Sequence, residues 1–104
     1  DLANAKQDAD KVAALQTIQS LSAAVKTRPQ DAEAYLARGK HHHQTGDETR
    51  ALADFDRAVE LNPRSTEIRL ARAALHWERR DFAAAEADCV AVLADGPQQR
   101  ALSI

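Results

Sequence analysis

Apolar and small residues recur at three- and four-residue spacing along most of the chain, the period of helices with one buried face. Leu2, Ala5, Ala9, Val12, Leu15, Ile18, Leu21 and Val25 lie on one stripe with no Gly or Pro between them, which predicts a single long amphipathic helix over 2–28. The segment DAEAYLARGKHHHQ then reads as a second helix, TGD as a turn, and ETRALADFDRAVELN as a third helix. Gly46 suits the left-handed residue that follows a helix end, and Asp47 suits the N-cap of the next helix. Asp81 holds the same cap position further on, after Arg80 instead of Gly. Proline closes each unit, because it cannot donate to the preceding turn and biases Asn62 and Gly96 out of helical geometry.

Pro29, Pro63 and Pro97 are the only prolines, and the interval from the first to the second is repeated from the second to the third. Sliding 29–62 onto 63–96 gives ten identities, among them Glu33/Glu67, Leu36/Leu70, Arg38/Arg72, His42/His76, Asp47/Asp81, Ala51/Ala85 and Asp54/Asp88. The chain is therefore a repeat of helical hairpins, each too thin to bury its own apolar face without a neighbour. Residues 31–64 and 65–98 form the two full repeats, 1–30 a helix with a partial repeat, and 99–104 a tail, all within one domain. The second half of the first helix keeps the frame, with Thr17, Leu21 and Ala24 where Ala51, Phe55 and Ala58 stand later. QQRALSI is too short to form a polar helix over the last apolar face, so one end is expected to be uncovered.

The positions Tyr35, Arg38, Gly39, His42, Ala51, Phe55, Ala58 and Pro63, followed by Arg69, Arg72, Ala73, His76, Ala85, Cys89, Val92 and Pro97, carry a family pattern. On these residues the chain resembles the tetratricopeptide repeat family, whose 34-residue signature places aromatic, small and proline residues at this spacing. The resemblance implies an all-α, right-handed superhelix of antiparallel helix pairs. It implies a non-enzymatic module that binds a peptide or helix of a partner protein in a concave groove lined by the first helix of each repeat. The groove positions then fall on Glu33, Leu36, Lys40, His43 and Gln44, and on Glu67, Leu70, Ala74, Trp77 and Glu78. Leu36 with Leu70 is expected to form an apolar floor, His43 with Trp77 an aromatic wall, and the charged residues a rim. Trp77, the only Trp, is the expected hot spot, against the alternative that it packs within its own chain. The family's carboxylate-holding groove uses Lys, Asn and Arg, where this chain has mostly Leu, Ala and Glu, so recognition of an acidic C-terminus is not expected.

Two departures from the pattern are physical puzzles. Arg38 and Arg72 stand where the family has Leu, and His42 and His76 where it has its second aromatic. The recurring Asp54 and Asp88 on the facing helix are expected to accept hydrogen bonds from those arginines, against the alternative of arginines that snorkel to water. Phe55 and the smaller Cys89 are expected to fill the space between paired helices, which makes Cys89 a buried packing thiol.

Composition narrows the function. In 104 residues, 44% are apolar and 29% charged, enough to fold one small domain and too few for separate cofactor and substrate domains. A net charge of −2 gives no field for nucleic acid or an anionic membrane, and no apolar run approaches a membrane span, so neither nucleic acid nor membrane insertion is expected. One cysteine cannot form an internal disulfide, so the redox compartment stays open. With ten Arg to four Lys and abundant Ala, the chain fits a soluble bacterial protein of cytoplasm or periplasm, a mature form or an excised piece. His41, His42 and His43 are rotated about 100° from one another on a helix and cannot converge on one metal ion. They read as packing or surface histidines, with a weak metal site or a pH switch as alternatives. No serine sits in a nucleophile elbow, no Gly-rich loop cradles phosphate, and Asp54 and Asp56 point apart as solvated charges, so neither enzyme activity nor a cofactor is expected. The rival to peptide binding is self-association through the long first helix and the uncovered last one.

Overall fold

The computed structural model describes the backbone of residues 2–94 and the side chains of 13 and 15–94. Five helices follow one another: α1 (Leu2–Thr27), α2 (Ala32–Gln44), α3 (Glu48–Leu61), α4 (Thr66–Glu78) and α5 (Phe82–Ala94). They pack as antiparallel pairs, α2 with α3 and α4 with α5, with α1 laid against α2. The long first helix forms as the stripe predicts. Leu2, Ala5, Ala9 and Val12 lie outside the described side chains, and Leu15 is 59% exposed, so only Ile18, Leu21 and Val25 are partly covered. The 99–104 tail and Pro97 also lie outside the described residues.

Both hairpins are built by the same local bonds. Asp31 and Ser65 cap the first helix of each pair, accepting from the amides of Glu33 and Ile68. At the turns, the Asp47 and Gly46 amides donate to the carbonyls of His42 and His43, while those of Asp81 and Arg80 donate to His76 and Trp77. Gly46 has φ 87 and Arg80 φ 62, so the second turn takes the left-handed conformation without glycine. The carboxylates of Asp47 and Asp81 then cap the second helices at the amides of Arg50 and Ala84. Even the entry to each repeat is tied alike: the Tyr35 hydroxyl donates to the Pro29 carbonyl, and the Arg69 guanidinium to the Pro63 carbonyl. A phenol and a guanidinium thus do the same task at equivalent positions of successive repeats.

The core gathers Leu36, Ala51, Phe55, Ala58, Val59, Ile68 and Leu75 from α2, α3 and α4. Phe55 is fully buried and fills the space that Gly39 leaves free: a Cβ at position 39 would stand 2.6 Å from the ring. Small Ala51 and Ala58, both at 0% exposure, let the helices close on that ring.

The arginine departures are answered by carboxylates. Arg38 donates from Nε and Nη2 to the two oxygens of Asp54 at 2.8 and 2.7 Å, and Arg72 does the same to Asp88 at 2.8 and 2.6 Å. These are bidentate pairs that lock the first helix of each repeat to the second. Asp54 and Asp88 are only 5% and 2% exposed, so Asp54 is no solvated-face charge, contrary to the sequence expectation. An ionised carboxylate, which only accepts, is the partner that a guanidinium withdrawn from water requires. The guanidinium of Arg72 holds its proton more tightly than usual, chiefly through its hydrogen bonds to Asp88, with burial opposing. Arg72 also donates to Asp56 of α3, which ties the second repeat to the first.

Cys89 corrects a second expectation: it is exposed. Phe55 is roofed by α4 with Ile68 and Leu75, whereas no helix follows α5 among the described residues, so the equivalent side chain faces outward.

Two substitutions test this packing. Gly39→Ala forces its methyl into the Phe55 ring and is expected to cost about 1–3 kcal/mol in urea unfolding, while Phe55→Ala, which empties the same space, costs about 3–5 kcal/mol. Arg72→Leu leaves Asp88 buried with only Arg69 as a donor, at 3.4 Å, and is expected to lower stability by about 3 kcal/mol; a more stable variant would show the pair dispensable.

Candidate partner-binding face

The first helices of the two repeats, α2 and α4, lie next to each other and present the residues that the repeat frame assigns to the groove. On α4, Leu70, Ala74 and Trp77 are spaced i, i+4, i+7 and form one exposed stripe. Leu70 is 47% exposed and Trp77 64%. Trp77 does not pack into the core. Its ring meets Phe82, the first residue of α5, at 4.7 Å between centroids in an edge arrangement, and Phe82 is itself 50% exposed.

Leu36 is a correction. At 2% exposure it belongs to the core, roofed by Ile68 and Leu75 of the next repeat, and offers nothing to a ligand. Its mate Leu70 stays open because no further first helix lies beyond it among the described residues. The aromatic wall is also divided. His43 sets its ring edge-on to Phe55, 6.4 Å away, and Trp77 sets its own against Phe82.

Polar residues of the face are joined across the repeats. Lys40 Nζ on α2 donates to Glu67 Oε1 on α4 at 2.8 Å, and His43 Nε2 pairs with Glu78 Oε2. Glu33, Gln44 and Ala74 are exposed around these pairs. Of the three consecutive histidines, His42 is buried 3.8 Å from Asp54, His43 reaches Glu78, and His41 lines, together with His42, a cleft of about 430 Å³ shared with Leu15 and Ile18 of α1.

Sequence reasoning missed Phe82 and Asp56. Phe82 could have been found from its place just after the turn that follows Trp77, where the two aromatics flank one helix junction. Asp56 had no such signal, because its repeat mate is Val90 and only the contact with Arg72 reveals its role.

A stack of antiparallel helix pairs, repeated at a constant interval with the same caps and buried ion pairs, defines a helical-repeat domain. Comparison with protein families agrees: the tetratricopeptide repeat family model matches residues 16–65 and 49–100, and the chain belongs to that family. Those spans take in the second half of α1, in line with its place in the repeat frame. No curated protein matches the chain. Members of the family are generally protein–protein interaction modules and typically non-catalytic. No described helix is long and apolar enough to cross a membrane.

The Lys40–Glu67 pair is solvent-exposed, at 47% and 61% side-chain exposure, so it adds little to the stability of the fold. Lys40→Gln is expected to change the urea unfolding free energy by less than about 1 kcal/mol; a larger loss would make the pair part of the core.

Proposed function

We propose that this domain binds a segment of a partner protein, extended or helical, across the face formed by α2 and α4. The supporting observation is the exposed stripe of Leu70, Ala74 and Trp77, continued by Phe82, on the first helix of the second repeat. Trp and Phe held open to water at neighbouring positions are anchors whose burial releases water and restricts few rotamers. The helices beneath are fixed by bidentate ion pairs and a buried ring, so little ordering accompanies binding. Lys40, Glu67, His43 and Glu78 stand beside the stripe and set register and charge preference at the rim.

A second reading is favoured by α5. Phe82, Val90 and Leu93 are 50%, 55% and 69% exposed, and the helix carries one charged residue, Glu86, on that face. Such a face supports self-association as an assembly element of a larger protein. Light scattering separates the two readings: the mass of a single chain at every concentration removes self-association, and a mass that grows with concentration favours it.

The first reading predicts that Trp77→Ala abolishes capture of the partner from the host's lysate, with affinity reduced by about thirtyfold or more. Helical content by circular dichroism should stay unchanged, because the ring lies outside the core. Equal capture by both proteins contradicts the assignment.

A further inference from the structure

The charges that surround the stripe specify what can lie on it. Glu33, Glu67 and Glu78 line the two helices, and Glu86 stands one turn beyond Phe82 on α5. The single lysine of the face, Lys40, is already engaged by Glu67, and His43 by Glu78. Arg79 leans away toward Glu48 of α3, 3.9 Å distant, and Arg80 lies in the turn past the end of α4. Those two pairs close on themselves, and Glu33 and Glu86, which have no ion-pair partner among the described residues, leave the surroundings of the stripe acidic.

The stripe also offers almost nothing to a polypeptide backbone. Leu70 and Ala74 have no polar side-chain atom, Trp77 has one N–H donor, and the glutamates only accept. An extended segment would bury carbonyls there without donors, whereas a helix satisfies its own backbone. Leu70 and Trp77 lie about 10 Å apart along α4, two helical turns, which is the spacing of i and i+7 on a facing helix.

We infer that the occupant is a cationic amphipathic helix of a partner protein, with apolar residues at i, i+3 or i+4, and i+7 set on Leu70, Trp77 and Phe82, and Lys or Arg on its flanks facing Glu33 and Glu86. The inference rests on the proposed binding face and adds the sign of charge and the conformation of what binds there.

Trp77 is the only tryptophan, so its emission reports contact directly when the probe has none. Three synthetic peptides are titrated at low salt, each carrying a fluorophore for anisotropy: leucines at helical spacing with lysines between them, the same leucines with glutamates, and the lysine peptide with its leucine order scrambled. The lysine helix is expected to bind, shift Trp77 emission to the blue, and weaken with added salt. The other two should bind at least about tenfold more weakly. Glu33→Gln with Glu86→Gln, in protein whose circular dichroism is unchanged, should weaken the lysine helix by about tenfold. A glutamate helix that binds as tightly overturns the charge preference and leaves the face standing. A scrambled peptide that binds as well overturns the helix. Binding of the lysine helix without any change at Trp77 overturns the face itself, and absence of binding by all three overturns the inference alone, since partner capture through Trp77 is judged separately.

Discussion

The ring of Phe55 is the point on which the domain closes. It enters the gap left by Gly39 on α2, lies between Ala51 and Ala58 of its own helix, and is roofed by Ile68 and Leu75 of α4. One side chain thereby joins three helices and both repeats. Small residues around a large ring let the helix axes approach closely enough for the bidentate Arg38–Asp54 pair to form beside it. Burial of that carboxylate is tolerable only because each of its oxygens is answered by a charged donor.

Translation by one repeat reproduces the caps, the turns and the arginine–aspartate pairs, but not the outer face of the second helix. On α3, Asp56 and Glu48 receive Arg72 and Arg79 from the following helix. The equivalent positions on α5 are Val90 and Phe82, both exposed. The same backbone thus carries an ionic joint between repeats at one place and an apolar surface at the next. What folding leaves unused, the α4 stripe and the outside of α5, is what remains for association.

Much of this was legible in the sequence. The proline spacing and the ten identities give the hairpins, and Gly46, Asp47 and Asp81 give the turns. The arginine–aspartate pairs were readable because both partners recur at the same interval. Leu36 and Cys89 were not, because burial depends on whether another hairpin follows. Among the described residues Leu36 has one above it and Leu70 does not; Phe55 is roofed and Cys89 is open. Periodicity assigns the same environment to repeat mates, and the position of a hairpin in the stack breaks that equivalence. Phe82 was legible only as an aromatic just past the turn that follows Trp77, and the left-handed Arg80 in that turn precedes the contact of the two rings.

Residue-resolved amide hydrogen exchange on the monomer tests most directly whether one shared ring and its neighbours hold the whole domain. The amides of α2, α3 and the core-facing turns of α4 should exchange only through global unfolding, and those of α5 through a smaller opening, since its outer face has no cover among the described residues. Protection of α5 equal to that of α3, or separate unfolding of α2–α3 from α4, would contradict the central place given to Phe55.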